Sequence, residues 1–267
     1  MASLPVTYLF VPGDRPERFA KAFASDADMV VMDLEDAVAP NAKDQARAFV
    51  SEALSRNDGE RACVRINGTE TTWFDNDCRL LGLPGLAAVM LPKAESTEAL
   101  QLLARRVPGL PVIPVIETAR GLEQSAALAA STGVHRLAFG SVDFQLDLGI
   151  EGDDVELLHA RSRLVLASRL AHAAPPIDGV TLAVHDPDQA RCDAVRARRL
   201  GFGAKLCIHP AQIGPVKVGF APDAQQVAWA TGVLAAFEAH AGGVLAYEGK
   251  LVDRPVVERA RSILART

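Results

Sequence analysis

The stretch that decides the fold is residues 112–143, VIPVIETARGLEQSAALAASTGVHRLAFGSVD. Two short apolar runs, Val112–Glu117 and Leu137–Asp143, bracket an Ala- and Leu-rich amphipathic segment over Glu123–Ser131. Each run is nearly continuous in hydrophobicity rather than alternating, as expected of a parallel strand buried on both faces. Each also stops abruptly on polar residues, Glu117-Thr118-Ala119-Arg120 in one and Gly140-Ser141-Val142-Asp143 in the other. A strand, a helix and a second strand in this order form a β-α-β unit.

The unit recurs along the chain. Further strand candidates are Tyr8–Pro12, Met29–Leu34, Ala62–Asn67, Ala87–Pro92, Gly179–Val184 and Ala204–His209, and helical patterns cover Lys43–Ser55, Thr97–Arg106, His159–Ala173 and Pro187–Leu200. Eight strands spread over about 210 residues predict an α/β fold of the closed (β/α)8 TIM-barrel type, residues 1–210. An open doubly wound sheet is the alternative. Against it, the turn after the first strand reads Pro12-Gly13-Asp14-Arg15 and lacks a G-x-G-x-x-G fingerprint. Residues 211–267 leave the repeat. They hold a helix over Asp223–Ala241, a Gly242-Gly243 break, an apolar run through Tyr247 and a terminal helix from Arg254, and read as an appended arm or lid.

Composition narrows the function classes. With 28 basic and 33 acidic residues the net charge is −5, and aromatics are only 5%. Neither a phosphate-attracting surface nor a base-stacking platform is expected, so nucleic acid is disfavoured as a partner. The longest uncharged run, Ala224 to Phe237, has 14 residues, short of the roughly 20 that span a bilayer. The four cysteines, Cys63, Cys78, Cys192 and Cys207, show no C-x-x-C spacing, so a zinc or disulfide framework is not expected and a reducing, cytoplasmic setting fits.

In a parallel barrel the chemistry lies at the C-terminal strand ends. Those ends carry Asp33-Leu34-Glu35-Asp36, Arg65-Ile66-Asn67, Pro92-Lys93, Glu117, Asp143 and His209-Pro210. Glu117 and Asp143 close consecutive strands, so both carboxylates should face one mouth. Two nearby carboxylates repel unless a proton or cation lies between them, and a hard oxygen site with few protein ligands suits Mg²⁺. Arg65 should lie across the same mouth. Asp143 also reads as a helix cap and Glu117 as an ion-pair partner of Arg120. Glu35 and Asp36, with Asp33, read either as partners of metal-bound water or as rim charges. Lys93 would pair with these acids or with substrate. His209 reads as a hydrogen-bonded rim residue rather than a base, and Ser141 lacks a G-x-S-x-G elbow. Arg15, Arg18 and Lys21, after the first strand, are candidate partners for a ligand's phosphates, and equally a solvated helix face.

Seven of these segments, taken in order, resemble the citrate lyase β-subunit (CitE-like) branch of the HpcH/HpaI aldolase superfamily. They are Leu9–Arg15, Asp33–Val38, Val64–Gly68, Leu91–Lys93, Ile116–Gly121, Phe139–Phe144 and Cys207–Pro210. The resemblance implies a barrel enzyme that uses Mg²⁺ to cleave or form C–C bonds of coenzyme A thioesters such as malyl-, citramalyl- or citryl-CoA. It implies substrate binding by Arg65, metal binding by Glu117 and Asp143, and a homo-oligomer, a trimer, in which the arm packs on a neighbouring subunit. It also implies that Asp253, in Gly249–Pro255, reaches a neighbour's site as a catalytic residue; by its position before Arg254-Pro255 the same aspartate reads as a helix cap. Related pyruvate aldolases carry a histidine after the strand-two acidic pair, where this chain has Asp36, so a histidine-base mechanism is not carried over. A subunit dependent on an acyl carrier protein, or a CoA-independent 2-oxo-acid aldolase, are the competing expectations.

Overall fold

Met29–Asp33 is buried at every position, and so are Ala88–Leu91 and Val112–Ile116. Segments with no solvated face need cover on both sides, which a sheet wrapped by helices provides. The computed structural model describes residues 4–56, 61–240 and 243–266. In it β1 (Thr7–Pro12), β2 (Met29–Asp33), β3 (Ala62–Arg65), β4 (Ala88–Leu91), β5 (Val112–Ile116), β6 (Ala138–Phe139), β7 (Ile177–Asp178) and β8 (Ala204–Cys207) pair in sequence order. β8 returns to β1, so the barrel is closed, and every pairing is parallel.

Side chains alternate between the barrel interior and the surrounding helices. The interior layers are filled by Tyr8, Met29, Val31, Cys63, Ala88, Met90, Ile113, Val115, Ala138, Ile177, Ala204 and Leu206. Two residues further along five of these strands, the inward positions become Phe10, Asp33, Arg65, Glu117 and Gly140, and all five line the cavity at the barrel mouth. The same period of two that builds the apolar core thus delivers the polar groups above it.

Two strands differ from the apolar runs that predict them. The sixth run extends through Asp143, but β6 ends at Phe139, and Ser141–Leu148 is a helix with Asp143 in its first turn. The seventh run covers Gly179–Val184; β7 is instead Ile177–Asp178. Asp178 looks like a loop residue in sequence. It is fully buried on the outer barrel face, where Arg161 donates to it at 2.9 Å and the Lys205 ammonium lies 3.8 Å away. The expected helix over Glu123–Ser131 is two short helices, Ala119–Glu123 and Ser125–Ala129. Thr97–Arg106 and Pro187–Leu200 form where expected, each with an N-cap side chain, Ser96 and Asp186.

Arg136 closes the opposite end of the barrel. It is fully buried, and its guanidinium donates to the carbonyls of Pro175 and Pro5 and to the Tyr8 hydroxyl. Arg136→Met is expected to leave these acceptors unpaired and to lower stability by about 3 kcal/mol. Urea denaturation checks this; an unchanged midpoint would show that water replaces the guanidinium.

The chain divides into two compact units, Met1–Lys217 and Val218–Thr267. In the second, the helix Ala224–Ala239 starts on a reciprocal Asp223/Gln226 capping box. Leu245–Tyr247 and Lys250–Val252 form an antiparallel hairpin, turned by Glu248 and Gly249 at φ 47° and 73°. The terminal helix Arg254–Leu264 is capped by Asp253. Ala230, Val233, Val252, Val257, Ala260 and Ile263 form the core of this unit. Ala241 and Gly242, the end of the expected helix and half of the glycine break, lie outside the described residues. No described helix is long and apolar enough to cross a membrane.

Candidate active site

The mouth cavity has a volume of about 280 Å³. Four carboxylates, Asp33, Asp36, Glu117 and Asp143, line it beside one guanidinium, Arg65. This excess of negative charge over one cavity defines the electrostatics of the site.

Asp33 and Arg65 come from neighbouring strands and are register partners. Arg65 Nε and Nη2 each donate to one Asp33 oxygen at 2.7 Å, a bidentate pair. Burial works to raise the Asp33 carboxyl. Arg65 and the amide N–H groups of Glu35 and Ala37 outweigh it and hold the carboxyl below its ordinary value. Arg65 lies over the Phe10 ring at 4.8 Å, so one face of the guanidinium is walled by an aromatic. Its Nη1 sits 3.0 Å from Glu35 Oε2, which is buried and lacks an aligned hydrogen bond.

Lys93 follows β4 in a left-handed backbone conformation, φ 45°, unusual for a residue with a long side chain. The turn aims its amide N–H at Glu117 Oε1, 2.6 Å away, and its ammonium at Glu35 Oε1, 2.9 Å away. The expected pairing of Lys93 with the strand-two acids is therefore present. Glu117 is almost wholly buried. Burial first, then the facing carboxylates Glu35 and Asp143, push it up to about 7. A Cβ on residue 140 would overlap Glu117 Oε2, so only glycine there admits this carboxylate. Arg120 is not its partner; it is exposed and lies 3.9 Å from Glu95.

Asp143 is half-buried and lines the cavity from the first turn of its helix. Gly140, not Asp143, is the N-cap residue. Asp36 is exposed at the rim. His209 caps the turn after β8, its Nδ1 accepting from the Ala211 N–H at 3.2 Å, as expected of a rim histidine. Arg15 is exposed, 3.8 Å from Asp14. Arg18 and Lys21 line a separate cavity together with His209. Asp253 belongs to the C-terminal unit, where its Oδ1 accepts from Val256 N–H at 3.3 Å.

Sequence reasoning misses two groups. Asp33 reads as one acid of a cluster, with nothing in the sequence to mark it as the partner of Arg65; only the register of β2 against β3 does so. Lys43 reads simply as the start of a helix, yet its ammonium is buried against the loop after β2.

The HpcH/HpaI aldolase/citrate lyase family model matches residues 7–210. A citrate lyase subunit beta-like protein of Mycobacterium tuberculosis is 38% identical over 267 residues, covering 97% of this chain and 94% of the relative. A (3S)-malyl-CoA thioesterase of Cereibacter sphaeroides is 33% identical, covering 97% and 93%. Among solved structures, CitE from M. tuberculosis in complex with magnesium, acetoacetate and coenzyme A superposes with a TM-score of 0.89 at 37% identity, covering 99% of this chain and 98% of that one. The chain belongs to the HpcH/HpaI aldolase/citrate lyase family. It is thus a carbon–carbon lyase by family, and magnesium complexes are prominent among the solved structures it resembles.

Proposed function

We propose that this protein is a magnesium-dependent lyase that cleaves a 3-hydroxyacyl-CoA, such as malyl-, citramalyl- or citryl-CoA, into acetyl-CoA or another acyl-CoA and a 2-oxo acid. The observation that carries the proposal is the convergence of two carboxylates, Glu117 and Asp143, and a preorganised guanidinium, Arg65, on one cavity. Among the described residues no three His, Cys, Asp or Glu side chains form a metal cage. Two carboxylates completed by water and substrate oxygens are the arrangement Mg²⁺ favours. The elevated Glu117 carboxyl and its cradle at Gly140 support that fit. When bound, the ion supplies Lewis-acid polarisation of the oxygen on the carbon that becomes the 2-oxo carbon.

The chain's own residues then have distinct tasks. Cleavage breaks the bond between the hydroxyl-bearing carbon and the carbon next to the thioester. The hydroxyl gives its proton to the Asp253 carboxylate of a neighbouring copy and becomes the oxo group, and the electron pair of the broken bond passes to the thioester as an enolate. Arg65, held by Asp33 and faced by Phe10, presents fixed donors to that oxygen or to the substrate carboxylate. The Lys93 N–H holds Glu117, and Glu35 anchors the Lys93 ammonium. A proton returns to the enolate carbon, and Asp253 of a neighbouring copy is the proposed exchanger, brought by an arm that packs on that copy in a homotrimer. The cavity of about 420 Å³ bearing Arg18, Lys21 and His209, near the exposed Arg15, is the proposed berth for the CoA phosphates.

A panel of 3-hydroxyacyl-CoA thioesters, incubated with and without Mg²⁺ and read by mass spectrometry, tests the proposal. At least one substrate is expected to give acyl-CoA and a 2-oxo acid only with the metal. Free CoA beside an intact hydroxy acid would make the protein a thioesterase, in line with the C. sphaeroides relatives. Turnover only on an acyl carrier protein would make it a citrate lyase subunit. In the same panel Asp253→Asn is expected to lower kcat by about 10²-fold or more with KM retained; wild-type turnover would leave this aspartate as a helix cap alone.

A further inference from the structure

The helix Lys43–Arg56 contributes a cation whose placement the chemistry above does not explain. Lys43 is only 5% exposed. Its ammonium donates at 2.7 Å to each of three oxygens, the carbonyls of Leu34 and Glu35 and Oδ1 of Asn67. An ammonium has three donors, so all are used, and on neutral acceptors rather than on a carboxylate. Trp73 covers it at 5.1 Å. Asn67 is fixed in turn, its N–H and Nδ2 donating to Asp77 Oδ2 at 2.9 and 2.6 Å. The other Asp77 oxygen accepts from Arg47 Nε at 2.8 Å, and Arg47 lies one turn beyond Lys43 on the same helix.

One helix face therefore grips two loops. The loop after β2 follows Asp33 and carries Glu35, the groups that orient Arg65; the loop after β3 follows Arg65 itself. We propose that Lys43 is a positioning residue for Arg65, tying the backbone of Leu34 and Glu35 to Asn67 so that the guanidinium is held at a fixed angle to a 2-oxo acid. This rests on the proposed role of Arg65 in substrate binding. A cation needed only for stability would gain most from a carboxylate, as Arg161 does with Asp178 and Asp153. Lys43 instead converges three backbone and amide oxygens on one nitrogen. A planar guanidinium cannot place three donors on a single centre, so arginine at this position should not substitute.

The test uses calorimetric titration of Mg²⁺ alone, then of pyruvate at saturating Mg²⁺, on wild type, Lys43→Met, Lys43→Arg, Asn67→Ala, Arg65→Lys and the remote Arg136→Met. Lys43→Met, Lys43→Arg and Asn67→Ala are expected to weaken pyruvate binding about tenfold or more, as misplacement of a binding group does, with Mg²⁺ affinity unchanged. Arg136→Met is expected to lose stability without losing pyruvate. Wild-type pyruvate affinity in Lys43→Met, parallel loss of Mg²⁺ and pyruvate, or full rescue by Lys43→Arg would overturn the positioning role. Asn67→Ala decides the matter if Lys43→Met does not fold. Wild-type affinity in Arg65→Lys would overturn the substrate role of Arg65 and this proposal with it; loss there without loss in Lys43→Met overturns the positioning role alone.

Discussion

Glu117→Gln is expected to abolish Mg²⁺-dependent turnover while making the metal-free protein less sensitive to pH. The amide keeps the acceptor for the Lys93 N–H, 2.6 Å from Oε1 in the wild type, so the turn after β4 survives. What is lost is the charge. If Glu117 is one of the two carboxylates that hold the metal, as proposed, its removal is expected to cost about 4 kcal/mol of transition-state stabilisation, or roughly a thousandfold in kcat/KM. Stability moves the other way. Burial and the facing carboxylates raise Glu117 from an ordinary 4.5 to about 7. Between those values the folded protein holds a proton that the unfolded chain has released, so the group's contribution is full below 4.5 and is lost as pH rises through 7. In the variant this part of the pH slope should vanish. On the proposed metal role of Glu117, proton and metal compete for the same oxygens in the wild type, so Mg²⁺ affinity should fall as pH drops below about 7. Melting curves from pH 4 to 8 with and without Mg²⁺, together with kinetics, check both halves. Equal slopes in variant and wild type would overturn the raised Glu117 carboxyl, and retained turnover would remove Glu117 from the metal site.

Arg65→Lys should lower kcat/KM by about 10²–10³-fold, the range seen when one preorganised donor to a developing anion is removed. Charge is conserved, so the loss isolates geometry. The guanidinium spans both Asp33 oxygens at 2.7 Å while its Nη1 reaches toward Glu35 Oε2. An ammonium can reach one or the other but cannot keep the fork. The Asp33 carboxyl, held down largely by Arg65 against its burial, should also move up. Steady-state kinetics with the best thioester of the panel, and a pH profile, measure both. Unchanged kcat/KM would show that Arg65 serves the barrel and not the substrate.

Much of this site is legible in the amino-acid sequence. Buried parallel strands need continuous apolar runs, and such runs stop where polarity begins, so Glu117, Arg65 and the strand-two acids stand out as strand ends. Legibility fails where a strand is very short or its outward residue is charged. β7 is two residues long, and Asp178 looks like a loop residue until Arg161 and Lys205 arrive from elsewhere in the chain. Asp143 reads as a strand end rather than a helix residue because Leu137–Asp143 contains no polar residue before Ser141 to show where the strand gives way.

The recurring strand–helix pattern and the strand-end chemistry thus point to an eight-stranded barrel and the residue types at its mouth, because both follow from local apolar runs that end on polar residues. Which group meets which is decided only by the tertiary structure. The Asp33–Arg65 fork depends on the register of two strands, the elevation of Glu117 on burial shared among three elements, and the Lys43 clasp on a helix packing over two loops. These are relations between distant segments, and their energies depend on desolvation and hydrogen-bond angles that no single segment of the chain contains.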